Sequence, residues 1–134
     1  MAKQKLPKIV IGADDHDSLT NLATEALDRI PDVAGELLSE LDRARVVAPR
    51  QVPPTVVRMG STVVFRADEA PERRVTLVYP AKADIAEGRV SVMTPIGAAL
   101  IGLSESQSIQ WTARDGRKHQ LTIVSVEQPA ANAA

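Results

Sequence analysis

The sequence predicts an α+β protein: a short antiparallel helical hairpin, then a curved antiparallel sheet of about five strands with one short helix against it. Three observations carry this. Apolar residues recur at helical spacing as far as Ala44 and alternate at strand spacing beyond Met59. Pro53 and Pro54 stand between the two regimes. Within the second, Thr94-Pro95 and Gly102 frame a helix of about two turns: threonine caps free amides, proline suits a first helical position, and glycine closes a helix in the left-handed conformation.

Taken in order, Lys8 to Gly12 read as a short extended segment. Asp14-Asp15-His16-Asp17-Ser18 supply acceptors and negative charge suited to a helix start. From there Leu19, Leu22, Ala23, Ala26, Leu27 and Ile30 form one stripe, predicting a helix from about Asp15 to Arg29. Pro31 interrupts it, and Asp32 caps a second helix with the stripe Val33, Ala34, Leu37, Leu38, Leu41 and Ala44, ending where Pro49 disfavours helical geometry at Ala48. At 1.5 Å per residue each arm reaches about 20–25 Å. Arg50-Gln51-Val52-Pro53-Pro54 reads as a stiff linker, dividing the chain into residues 1–50 and 51–134.

Beyond it, Met59, Val63 and Phe65 share one strand face, and Val75, Leu77 and Tyr79 share the next, across the polar loop Asp68-Glu69-Ala70-Pro71-Glu72. Val90 and Val92 mark a third strand. Ile96, Ala99, Leu100 and Leu103 place the short helix on the sheet. Ile109 and Trp111 mark a fourth strand, Asp115-Gly116 a tight turn, and Leu121 to Val126 the returning strand, before a fraying tail from Pro129.

Composition narrows the function. Of 134 residues, 44% are hydrophobic and 25% charged, an ordinary globular balance. One Trp, one Tyr and one Phe argue against an aromatic-lined pocket. A net charge of -1 gives no global attraction for nucleic acid or an anionic membrane, and the absence of cysteine excludes disulfides and thiolate zinc sites. No run of residues is long and apolar enough for a signal peptide or a membrane span, so a cytoplasmic location is expected. The basic groups Arg43/Arg45, Arg73/Arg74 and Arg114/Arg117/Lys118 alternate with acids and carry no stacking aromatics, against direct nucleic-acid reading.

No constellation for catalysis or metal emerges. Asp14-Asp15-His16-Asp17 lacks a calcium-loop pattern, Gly97 and Gly102 lack the lysine and hydroxyl of a phosphate loop, and Asp28, Asp32 and Glu36 read as solvated helix ends rather than a magnesium site. No catalytic residue, metal or cofactor is expected.

Three segments carry a resemblance: Glu40-Leu41-Asp42-Arg43-Ala44, Thr76-Leu77-Val78-Tyr79-Pro80-Ala81-Lys82, and Ser91-Val92-Met93-Thr94-Pro95-Ile96-Gly97-Ala98-Ala99-Leu100-Ile101-Gly102-Leu103. With the hairpin and sheet they make the chain, from about Ile9 to Glu127, resemble the bacterial regulators of nucleoside diphosphate kinase, relatives of the transcript-cleavage factors GreA and GreB. The resemblance implies a coiled-coil hairpin, an FKBP-like sheet domain, and binding to RNA polymerase at the mouth of its secondary channel. On that reading Met93, Thr94, Pro95, Ile96, Ala99 and Leu100 carry the polymerase contact, and Ile30, Pro31 and Asp32 form the hairpin tip. Cleavage factors have a much longer arm tipped by paired acids, whereas this arm is short and its turn has one central acid. Gly97-Ala98 stands where the family usually has Ala-Arg, and Met93 where it often has Asp or Asn. The expected function is a non-catalytic transcription regulator that competes with Gre-type factors. The alternatives are a weak transcript-cleavage or prolyl-isomerase-like enzyme, or a sensor working through the hairpin's apolar stripe. Oligomeric state is left open.

Overall fold

In the computed structural model, residues 7–112 and 116–128 are described, the side chain of Thr112 excepted. The chain begins with β1 (Val10–Gly12) and α1 (Ala13–Ala26), turns at 27–30, and returns through α2 (Pro31–Arg43) into β2 (Arg45–Val47). α1 and α2 pack side by side, and the His16 ring nitrogen Nε2, near the start of α1, lies 3.0 Å from the Leu41 carbonyl near the end of α2, so the helices run in opposite directions.

Several boundaries differ from the sequence reading. α1 starts two residues earlier and stops at Ala26, with Gly12 at its N-cap and no capping side chain. The helical run breaks at residues 27–30, just ahead of Pro31, and Pro31 itself opens α2, because a first helical position needs no amide donor. Ile30, not Asp32, is the N-cap residue. α2 ends five residues before Ala48: Ala44 turns extended at ψ 148°, and the β-branched pair Val46-Val47 forms β2, parallel to β1 with Val10 opposite Arg45 and Gly12 opposite Val47.

The segment 49–57 is no free spacer. Pro49–Gln51 makes a 3-10 turn, and Val52, Val56 and Val57 are buried. Gln128, past the last strand, donates from Nε2 to the carbonyls of Pro54 and Val56, tying this segment to the far end of the chain.

The main sheet contains β3 (Thr62–Ala67), β4 (Arg73–Val78), β5 (Arg89–Ser91), β6 (Ser108–Thr112) and β7 (Lys118–Glu127), in the order β5-β4-β3-β7-β6. It is mixed rather than wholly antiparallel, since β5 pairs parallel to β4, with Leu77 opposite Val90. The connection from 79 to 88 makes this possible by carrying two 3-10 turns back to the strand's starting end. Met59 precedes β3 instead of sitting on it, and Tyr79 and Val92 lie just past the ends of β4 and β5. The β6–β7 turn expected at Asp115-Gly116 falls partly outside the described residues, as does the tail from Pro129; Gly116 has φ +84°.

α3 (Pro95–Leu100) packs against β6 and α2, with Ala98, Ala99 and Leu100 in the core. One continuous core joins both halves of the chain: Leu19, Ala23, Ala34 and Leu37 from the hairpin meet Ala98 and Leu100 of α3 and Phe65, Leu77, Leu121 and Ile123 of the sheet. Gly102 fastens the junction. Its carbonyl accepts from the Val10 amide at 3.2 Å, its φ is +82°, and an added Cβ would lie 2.9 Å from that of Ile9, so neither its conformation nor its surroundings admit a side chain.

Candidate functional site

The start of α3 is fixed by a pair of side-chain hydrogen bonds. Thr94 accepts a hydrogen bond from the Gly97 amide on Oγ1 at 3.1 Å and donates the same hydroxyl to the Ser91 carbonyl at 2.7 Å. One side chain thus satisfies a free helix amide and fixes the helix to the end of β5. Pro95 and Ile96 follow, half-buried, on the wall of a groove of about 390 Å³. Ala83, Ile85, Val90 and Trp111 add apolar lining, and Arg73 and Arg89 bring positive charge. Ile85 is 84% exposed. Arg89 is oriented by the Lys82 carbonyl, to which Nε donates at 3.1 Å, and by Asp84 at 3.7 Å.

The six residues expected at the contact divide. Thr94, Pro95 and Ile96 line the groove. Met93 and Ala99 are each 8% exposed and Leu100 is fully buried, so these three support the surface from inside. α2 explains why: it packs on α3 and covers Ala98, which is 1% exposed. Ile85 and Arg89 went unnoticed in the sequence because Asp84-Ile85-Ala86-Glu87-Gly88 has neither helical nor strand period; the isolated isoleucine among polar residues was the available signal.

The hairpin tip holds Ile30, Pro31 and Asp32, all exposed. Asp28 and Asp32 flank the turn, whereas Glu36 lies a turn further along α2, lining a small space with Glu40, Ala98 and Trp111. Burial, then the nearby Glu40 and Asp32, push the Glu36 carboxyl above its ordinary range. Among the described residues no three His, Asp or Glu side chains converge as a metal site. Asp14 to Asp17 also scatter. Asp15 turns toward the sheet, accepting from the Met59 amide at 3.4 Å, while His16 turns toward Leu41. Burial is the main reason that Asp15 titrates above its usual range, and burial likewise raises Tyr79 beside it.

A polar pair missed by the sequence reading sits behind Trp111. His119 Nδ1 lies 2.6 Å from Asp68 Oδ2, and the Gln120 amide donates to Asp68 Oδ1 at 2.9 Å. The Gln120 amide and then His119 hold Asp68 below the ordinary carboxylate range, although its backbone has φ +54°. Its partners lie more than fifty residues away in sequence, so spacing could not reveal them.

Comparison with known proteins identifies a Gre-type C-terminal region joined to an N-terminal helical arm. The family described as "Transcription elongation factor, GreA/GreB, C-term" matches residues 52–128, and that described as "Rnk N-terminus" matches residues 7–47. The chain belongs to the family of regulators of nucleoside diphosphate kinase. It is 39% identical over 127 residues to the Escherichia coli K12 protein of that name, covering 93% of each chain. It is 34% identical to transcription elongation factor GreA of Rhodospirillum rubrum, covering 84% of this chain and 76% of that one. A solved structure, the prokaryotic transcription elongation factor GreA/GreB from Nitrosomonas europaea, superposes with a TM-score of 0.71 at 40% identity, over 90% of this chain and 98% of the other. The family is one of transcription-related regulators, and no helix among the described residues is long and apolar enough to cross a membrane.

Proposed function

We propose that this protein is a non-catalytic transcription regulator that docks on RNA polymerase at the entrance of the secondary channel and competes there with Gre-type factors. The carrying observation is the groove at the start of α3, where Pro95, Ile96 and the exposed Ile85 present an apolar surface flanked by Arg73 and Arg89. In this reading residues 51–134 form an FKBP-like footing and residues 1–50 a shortened coiled-coil prong. Helices of 14 and 13 residues span only about 20 Å at 1.5 Å per residue. α2 also rests on α3, which leaves the tip close to the footing. Competition then needs shared footing alone, with no chemistry at Asp32.

The test is binding of the full chain to purified RNA polymerase, with and without a cleavage factor as competitor. Binding that the competitor displaces, and that falls at least tenfold in a Pro95→Glu/Ile96→Glu variant, is expected. Unchanged binding by that variant overturns the α3 contact, and a native chain that ignores polymerase overturns the function. Backtracked complexes given the protein and magnesium should keep their transcripts at full length; shortening that disappears with Asp32→Ala would overturn the non-catalytic assignment.

A further inference from the structure

Charge is distributed very unevenly along the chain. From Ala13 to Arg43 there are nine carboxylates, Asp14, Asp15, Asp17, Glu25, Asp28, Asp32, Glu36, Glu40 and Asp42, against Arg29 and Arg43, a net charge of -7. The whole chain carries -1, so the remainder carries +6. The hairpin's two flanks differ as well. Glu36 and Glu40 face α3 and β6, whereas Leu38, Ser39 and Asp42 face away into a cleft of about 510 Å³ between the helices, closed at one end by Ala44 and Val46. Among the described residues, Asp42 is the one side chain lining that cleft with a fixed charge, and the Thr20 hydroxyl, also at the cleft, has no hydrogen-bond partner.

Helical spacing continues this flank past the cleft. Gly35 lies four and seven residues before Ser39 and Asp42, and nothing approaches within 4 Å of where its Cβ would stand. At the cleft's other end Val46 is 45% exposed. A bare glycine one turn from Leu38 lets a second helix approach closely.

We infer that the outer cleft between α1 and α2 is a docking surface for a basic amphipathic helix of a protein partner, with aliphatic residues seated between Gly35, Leu38 and Val46 and lysine or arginine beside Asp42. The charge of the hairpin excludes a nucleic-acid strand and disfavours a second hairpin as occupant, since like charges would meet across the contact. The surface is separate from the α3 groove, so it stands whether or not that groove binds polymerase.

The test is an amide-resolved NMR titration of the full chain with a synthetic helical peptide bearing leucines on one face and lysines on its borders. Two control peptides are a glutamate-for-lysine version and a scrambled sequence of identical composition. Saturable shifts at His16, Thr20, Gly35, Leu38 and Val46, at least tenfold weaker with either control, are expected. Gly35→Gln, which fills the flank while favouring the helix, should weaken the lysine peptide at least tenfold, and Asp42→Lys should do the same with circular dichroism unchanged. Equal response to all three peptides, shifts confined to the α3 groove, shifts that follow chain concentration alone, or indifference to both substitutions would overturn the inference.

Discussion

Gly97 lies against Ser91 so tightly that a Cβ on the glycine would sit 2.2 Å from the Ser91 carbonyl oxygen and 2.8 Å from the Val92 Cα. Both obstacles are backbone, so neither can swing aside. Gly97→Ala should therefore lift α3 off the end of β5 and cost about 1–3 kcal/mol, toward the upper end of overpacking effects. Urea unfolding followed by circular dichroism measures it. A variant as stable as the parent would mean that this close approach is not kept in solution.

Thr94 completes the same junction from the other side, since its hydroxyl both accepts from Gly97 and donates to Ser91. Thr94→Ala should lower stability by about 1 kcal/mol, the usual loss for an N-cap, and Thr94→Ser should recover most of it. The pair separates capping from the methyl group's packing. If both variants lose equally, the hydroxyl is not what holds the helix.

How much of this was legible beforehand follows from how local each signal is. Thr94, Pro95 and Gly102 announce α3 because capping and left-handed closure are set by residues within one turn. The alternation of Val63 with Phe65 and Val75 with Leu77 likewise marks β3 and β4, whose inward residues are buried. β2 was missed because its partner, β1, lies some thirty-five residues earlier, and Arg45-Val46-Val47 alone looks like the frayed end of a helix. The parallel pairing of β5 depends on the path of residues 79–88, which has no periodicity to read. At the site, sequence pattern identified the apolar residues near Pro95 but could not separate those lining the groove from Met93, Ala99 and Leu100, because the hairpin that helps bury them is remote in the chain.

Two positions, one at the N-cap of α2 and one within it, depart from what a helix prefers. Ile30 occupies the N-cap without a capping hydrogen bond, and Gly35 sits mid-helix with open space where a methyl group would fit. Gly35→Ala should stabilise the fold by up to about 1 kcal/mol. Ile30→Ser should add about 0.5–1 kcal/mol by supplying an acceptor for a free amide. Thermal unfolding at matched concentration checks both. Loss of stability in either would show that the native residue has a packing role.

Asp15 and Asp68 should give opposite pH signatures, which makes them a mutual control. Burial raises the folded-state pKa of Asp15, so between the ordinary carboxylate range and that raised value the unfolded chain has released a proton that the folded chain retains. Stability must then fall as pH rises through that window, and the cost persists above it. Asp15→Asn removes the cost while keeping an oxygen for the Met59 amide 3.4 Å away. It should be more stable than the parent near neutral pH, with the advantage vanishing in acid. Asp68 is shifted the other way, chiefly by the Gln120 amide and then by His119, so its contribution is present above the ordinary range and lost as pH falls through the lowered folded value. Asp68→Asn should therefore be less stable near neutrality and converge on the parent in acid. Urea titrations from about pH 3 to 8, read by the fluorescence of Trp111, whose ring centroid is 5.3 Å from that of His119, follow both variants with one probe. Two difference curves of the same sign would contradict the burial of Asp15 at the hairpin's junction with the sheet, because only desolvation there distinguishes it from a carboxylate stabilised by its donors.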